Sequence, residues 1–434
     1  MSNHDRISRR DALARGSVFA LASLFAGGMG ELHAEELAPP VAGVAEDDKP
    51  AADATPVAVA VIGLGEQGRN LLTSLGYVVG ANVMYVCDTY APAHKKALEL
   101  APKAKAVADY KQVLGDAAVK GVFVATPSHL HKQVVADALA AGKAVYCEAP
   151  LASNVAEAKQ IASLAKANPS VIFHVGLPYR TNPQHEHVYK FVETGALSKI
   201  AQGKAQWHKK TNWRRAAPND ARQNALNWRL KRETSGGLVG EIGIHQIDVA
   251  TRFLGKNPLA VSGFGGILAW DDGRDVPDTV QCVLEYPGGI HIAYDATLAN
   301  SFDGAYELFQ GTDAAVLLRD ARAWMFKEAD APALGWEVYA YKEKLGDETG
   351  IALVANATKL LAAGKKPSEN RDADPKQSAL YHACDVFLNA IRAGKGDVAA
   401  SAEVGYTATV IALTANEAIL TGKRIAFTPE MFTI

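Results

Sequence analysis

A continuous apolar run, Val57 to Ile62, passes directly into Gly63-Leu64-Gly65-Glu66-Gln67-Gly68, and a helical pattern extends from Asn70 to Leu75. An uninterrupted apolar segment of this length is the mark of a parallel strand buried on both faces. The first glycine permits a tight turn, the second admits close approach of a pyrophosphate, and the third lets helix and strand pack closely. Helix N–H groups then point at the phosphates and the helix dipole favours their charge. Gly63, Gly65, Glu66, Gln67 and Gly68 are thus the candidate cofactor cradle.

The strand–loop–helix pattern then recurs. A second apolar run, Val83 to Cys87, ends in Asp88. An acid roughly 20 residues beyond the glycines is placed to grip the adenosine ribose hydroxyls and to repel a 2′-phosphate, which favours NAD over NADP. A third strand, Gly121 to Ala125, delivers Thr126-Pro127-Ser128-His129-Leu130-His131; helix Val134 to Ala141 and strand Ala144 to Cys147 come next, ending in Glu148-Ala149-Pro150. Such alternation specifies right-handed crossovers and a doubly wound parallel sheet. Ligands of these sheets bind beyond the strand C-termini, where both loops must lie.

Composition narrows the alternatives. Lys and Arg total 45 against 47 Asp and Glu, a net charge of −2, so no bulk field attracts nucleic acid or an anionic membrane. Four scattered cysteines form neither a disulfide framework nor a metal-ligand spacing, so no metal is expected. The first segment is an address: Ser8-Arg9-Arg10-Asp11-Ala12-Leu13 precedes a soft apolar stretch from Gly16 to Gly30, the pattern of a twin-arginine export signal over residues 1–34. A periplasmic location and a mature form free of the membrane are expected. Residues 35–56, rich in Ala, Pro and acid, read as a linker or arm, with folding to begin at Val57.

The glycine loop, Thr126-Pro127 with His131, Ala141-Gly142-Lys143 and Glu148-x-Pro150 together resemble the Gfo/Idh/MocA oxidoreductases. The resemblance continues in Gly236-Gly237-Leu238, Glu241-x-Gly243-x-His245-x-x-Asp248 and the terminal Gly422-Lys423. It implies a Rossmann domain over 57–178, with Thr126, Pro127, His131 and Glu148 beside the cofactor, and a substrate and oligomerisation domain over 179–434. The latter is expected to be α/β with a large, open, mostly antiparallel sheet. Pro183 to Glu193 reads as its helix, and 259–268, 280–286, 290–296 and 306–310 as its strands. Helices over 380–391 and 406–420 could pack back on the core. By resemblance, copies associate through the open sheet.

Gly237 to Leu254 has helical periodicity, and Glu241, His245 and Asp248 fall at i, i+4 and i+7, on one face. An imidazole is suited to take the hydroxyl proton of an alcohol as hydride leaves its carbon, and a neighbouring carboxylate can orient it. The resemblance places His245 at the catalytic histidine and Glu241 close to substrate, with Tyr179 a further catalytic candidate. The sharpest departure is Ala149, where the family carries lysine. Either another donor substitutes (His208, Lys209, Lys210 and Tyr179 are the candidates), or the chemistry is not net oxidation, or cofactor binds without turnover. NAD-dependent glycosidases such as the family 109 hydrolases share the fold, and they oxidise C3 transiently, eliminate the C1 substituent and return the hydride. Lys204 to Arg232 interleaves basic residues with Trp207, Trp213 and Trp228. With a near-neutral chain this reads as a carbohydrate-pocket loop rather than a nucleic-acid surface. The substrate candidates are His208, Trp213, Arg214, Trp228 and Asp248, for a small-molecule carbohydrate or glycoside.

Overall fold

The computed structural model describes residues 55–434 except 320, 356, 358–359, 361–363, 365–373 and 395–397. The export signal and most of the expected linker lie outside the described residues. In chain order the first domain runs β1 (Val57–Ile62), α1 (Glu66–Leu75), β2 (Ala81–Cys87), α2 (Ala91–Leu100), β3 (Lys105–Val107), α3 (Tyr110–Gly115), β4 (Gly121–Val124), α4 (His131–Ala140), β5 (Ala144–Glu148), α5 (Val155–Ala167) and β6 (Phe173–Gly176). Its six strands are parallel in the order β3-β2-β1-β4-β5-β6. The strand expected third is therefore fourth. Three-residue β3, at the sheet edge, is too short to leave a periodic signal.

Successive side chains of the central strands feed opposite faces. Val57, Val59, Val61, Phe123 and Tyr146 pack with Leu71, Leu72 and Leu75 of α1 on one side; Ala60, Ile62, Val122, Val124 and Val145 pack with α4 and α5 on the other. That two-sided burial is why these strands read as unbroken apolar runs.

The second domain comprises α6 (Pro183–Glu193), β7 (Ile200–His208), α7 (Asp220–Leu226), a π-helical turn (Val239–Gly243) that continues into α8 (Ile244–Leu254), β8 (Ala260–Gly266), β9 (Thr279–Tyr286), β10 (Ile290–Thr297), β11 (Ala305–Gly311), β12 (Ala314–Arg319), β13 (Arg322–Lys327), β14 (Lys342–Leu345), β15 (Glu348–Ala352), α9 (Ala379–Ala393), α10 (Ala402–Thr421) and β16 (Ile425–Ala426). Ten strands form one sheet in the order β14-β15-β13-β12-β11-β7-β10-β9-β8-β16. Only the β7–β10 pair is parallel, so the expected open, mostly antiparallel sheet is what the chain forms. Its inner face, with Ala205, Ile292, Tyr294 and Phe309, is covered by α8 through Ile247, Val249, Ala250 and Phe253. The outer face carries exposed apolar side chains, among them Phe264 at 75% and Val283 at 43% exposure.

The two terminal helices bind the halves together. Phe387 of α9 sits edge-on to Phe123, with ring centroids 5.1 Å apart, and closes the α1 side of the parallel sheet. α10 is buried nearly all round: Tyr406, Ala408, Val410 and Ala412 join the first domain, whereas Ile411, Ala415, Ala418 and Ile419 join the second. No helix among the described residues is long and apolar enough to cross a membrane.

One internal cost is visible. His174 of β6 is fully buried, stacked on Tyr146 at 5.2 Å, and neither ring nitrogen has a partner. Burial pushes its pKa down to about 3, and that of His185, likewise unpartnered, to about 3. Both rings are neutral in the folded protein yet free to charge when unfolded. Their contribution is intact above the unfolded value, near 6.5, and is lost as pH falls toward 3. His174→Phe, which fills the same space without polar atoms, is expected to raise unfolding stability at pH 5 by about 1–3 kcal/mol, measured by denaturant midpoints. The gain should shrink at pH 8.

Candidate functional site

At the C-terminal end of β1 the backbone turns sharply. Gly63 has φ +94°, and a Cβ there would lie 2.4 Å from the Ala125 carbonyl oxygen; at Gly68 it would lie 1.9 Å from the Gly63 carbonyl oxygen. Gly65 meets nothing within 4 Å and caps α1 without any side-chain bond to the first helical N–H groups. Those donors stay available to an anion. Asp88 accepts from the Leu64 N–H at 2.8 Å and from the Tyr90 N–H at 2.7 Å, which fixes its carboxylate at the rim of the turn. This cradle fits a dinucleotide: two positions that tolerate no side chain, an uncapped helix start and an oriented acid.

The loops after β4 and β5 stand beside it. The Thr126 hydroxyl is buried without a partner and adjoins Ala125, whose carbonyl crowds the glycine turn. His131, expected at the cofactor, is instead a staple. Its Nε2 lies 2.9 Å from the Thr126 carbonyl, and its Nδ1 lies 3.1 and 3.2 Å from the carbonyls of Pro150 and Leu151. Burial holds its pKa at about 4, so the neutral ring donates to one loop at a time. Glu148 accepts from Gln67 Nε2 at 2.9 Å. Burial raises its pKa to about 7, against the opposing pull of Gln67, the Ala149 N–H and the Arg229 charge.

The second domain meets these loops through Glu241. Its Oε1 accepts from the Ser128 hydroxyl at 2.7 Å and the Gly236 N–H at 3.0 Å, and its Oε2 lies 4.0 Å from Arg229 Nε. Burial raises its pKa too, opposed first by Arg229. His245 comes one turn later. Its Nδ1 is buried without a partner, and burial lowers the ring's pKa to about 4, so the imidazole is neutral and free to accept a proton.

Several expected contacts are placed elsewhere. A π turn precedes α8, so Glu241 lies in that turn whereas His245 and Asp248 lie in α8 itself. Asp248 is instead clamped by Arg180, whose Nε and Nη2 donate to its carboxylate at 2.7–3.0 Å. Tyr179 stacks on His185 with ring centroids 4.4 Å apart. Strand alternation puts His208 on the outer sheet face, away from α8, and its Nε2 contacts Asp295 at 2.5 Å. Arg214 is tied to Asp272, whose pKa is held at about 2 by Arg274 and Arg214.

Trp213 and Trp228 do converge, on a residue that sequence reasoning passed over. The Arg229 guanidinium carbon lies 4.7 Å from the Trp228 ring centroid and 5.8 Å from that of Trp213. The only signal was its place in the basic, Trp-rich stretch; which of those arginines turns inward depends on tertiary contacts. The others are spoken for. Arg215 pairs with Glu66 at 2.5 Å, and Arg222 reaches the Thr89 carbonyl and lies 5.6 Å from the Tyr90 ring centroid. The 209–230 segment thereby spans the rim of the dinucleotide groove, touching it at the glycine loop and again beyond Asp88.

Comparison with known proteins agrees with this geometry. Residues 57–177 match the family model described as oxidoreductase family, NAD-binding Rossmann fold, and residues 185–316 match the GFO/IDH/MocA C-terminal domain, together more than half of the chain. Levoglucosan dehydrogenase of Pseudarthrobacter phenanthrenivorans is 25% identical over 288 residues, covering 59% of this chain and 72% of that protein. The scyllo-inositol 2-dehydrogenase (NAD(+)) of Bacillus subtilis is 30% identical over 218 residues, 49% of this chain and 58% of its own length. Among solved structures, levoglucosan dehydrogenase in complex with NADH and L-sorbose superposes with a TM-score of 0.68 at 20% identity, covering 86% of this chain and 99% of the other.

Asp88→Ala is expected to weaken NAD binding about 10–100-fold, the value of one or two hydrogen bonds to a charged group. It should weaken NADP binding much less, a difference measurable by titrating the fluorescence of NADH and NADPH.

Proposed function

Because the chain belongs to the Gfo/Idh/MocA oxidoreductase family and its first domain is an NAD-binding Rossmann fold, we propose that it oxidises a secondary hydroxyl of a sugar or cyclitol, with His245 as the base. The carrying observation is the neutral imidazole of His245, its Nδ1 unpartnered, one turn from a carboxylate bonded to the loop after β4. NAD, when bound, supplies the hydride acceptor. The glycine turn, the uncapped start of α1 and Asp88 would hold its diphosphate and ribose, with Thr126 and Glu148 on the loops nearer the second domain. His245 receives the hydroxyl proton as the C–H bond breaks, and a pKa near 4 keeps it in the accepting form across the physiological range. Glu241 fixes the loop that faces it. The names of the relatives, a levoglucosan dehydrogenase and an inositol dehydrogenase, support a neutral polyol as substrate.

A second reading, redox-assisted glycoside cleavage, is favoured by one feature. Glu148 has a pKa of about 7 and is poised to exchange a proton at neutral pH, next to an alanine that offers no donor. The twin-arginine pattern at Ser8-Arg9-Arg10 supports action in the periplasm on a retained cofactor. The exposed Phe264 and Val283 support self-association through the outer sheet face.

Assays with levoglucosan, myo-inositol and D-glucose plus NAD, read by NADH formation, test the first reading. Release of nitrophenol from aryl glycosides without added NAD tests the second. His245→Ala is expected to lower kcat by about 10²–10⁴-fold while leaving NADH affinity unchanged. If neither reaction occurs but NAD copurifies with the protein, the chain is a cofactor-bound sugar-binding protein and both enzymatic readings fail.

A further inference from the structure

Two carboxyl groups are buried where the domains meet, Glu148 at 7% and Glu241 at 6% exposure, and one cationic side chain among the described residues acts on both. That side chain is Arg229. Its guanidinium is braced by the faces of Trp213 and Trp228, stands 4.0 Å from Glu241 and makes no hydrogen bond to any described residue, and its Nε is buried without a partner. The other arginines of the 209–232 segment differ in this respect: Arg214, Arg215, Arg222 and Arg232 all donate to named partners. An oriented, partly buried cation with unpaired donors, 4.0 Å from a carboxyl group one turn ahead of His245, is arranged for an oxygen atom the protein itself does not supply.

We propose that Arg229 is that donor. Its guanidinium hydrogen-bonds the oxygen of the reacting carbinol, filling from the second domain the role for which position 149 has no side chain. The inference rests on the dehydrogenase reading of the same site. As the C–H bond breaks, its electron pair would leave with the hydrogen as hydride, for which bound NAD would be the acceptor, while the O–H proton passes to His245 and the C=O bond forms. Arg229 keeps all its protons throughout and stabilises the negative charge that gathers on oxygen. A guanidinium does not deprotonate in this range, unlike lysine, so proton removal belongs to His245 alone.

The test uses Arg229→Met, which keeps the apolar stem between the two indoles, and Arg229→Lys, assayed with levoglucosan, myo-inositol and D-glucose. Arg229→Met is expected to lower kcat/KM by about 10²–10³-fold with NADH affinity unchanged. Low concentrations of guanidinium chloride should restore part of the loss, which a merely structural role would not allow. Ala149→Lys in the Arg229→Met background should also recover activity. A readout independent of turnover is the apo-protein's melting temperature. Both carboxyl groups have raised pKa values, so their stabilising protonation is lost as pH rises through the folded values; without Arg229 the fall should reach higher pH than in wild type. Turnover by Arg229→Met within about threefold of wild type overturns the assignment and leaves the dehydrogenase reading standing. Absence of polyol oxidation by the wild-type protein removes both.

Discussion

The hydrogen bond from Ser128 to Glu241 joins the two parts of the molecule that must cooperate. One is a loop at the C-terminal edge of the parallel sheet, which the cofactor fold positions; the other is the helical start of the segment that carries His245. A buried carboxylate is costly unless its lone pairs are met. Glu241 meets them with groups from both sides of the junction, Ser128 from the first domain and Gly236 from the second. The placement of His245 relative to the cofactor groove therefore rests on a contact that neither domain makes alone.

Around that contact the site is assembled by subtraction as much as by addition. His131, Arg180, Asp248 and His208 carry side chains that chemistry could use, yet each is engaged with protein. Among the described residues at the groove, a short set of buried polar atoms has no hydrogen-bond partner: the Thr126 hydroxyl, the His245 Nδ1 and the Arg229 Nε. Four of the basic residues that give the 204–232 stretch its nucleic-acid-like composition are tied down by Asp295, Asp272, Glu66 and Asp275. Such internal pairing explains how so basic a stretch sits in a nearly neutral chain.

Much of the fold was legible because its signals are local. β1, the glycine turn and Asp88 announce themselves by period, by residues that leave no room for a side chain, and by an acid at a strand end. Of the four strands read in the second domain, β9 and β10 alternate most cleanly because one face is buried. The elements that escaped were set by tertiary partners. Strand β7 runs into the basic stretch that read as a loop, β14 and β15 are short and polar, and three-residue β3 is too brief to show a period. The π turn at Val239–Gly243 has no compositional signature, so the periodicity read as a plain helix from Gly237 onward. Arg229 and Arg214 are equally basic in the sequence, and only the positions of Asp272 and of the two indoles separate them.

The placement of α9 bears on how the molecule is made. Phe123 and Tyr146, in the middle of the cofactor-binding half, receive their cover from Phe387, which leaves the ribosome more than two hundred residues later. Until then α1 alone covers that face, and the part of it beneath Phe387 is open to water or to a chaperone. The nucleotide-holding half therefore completes its core only when nearly the whole polypeptide has been synthesised.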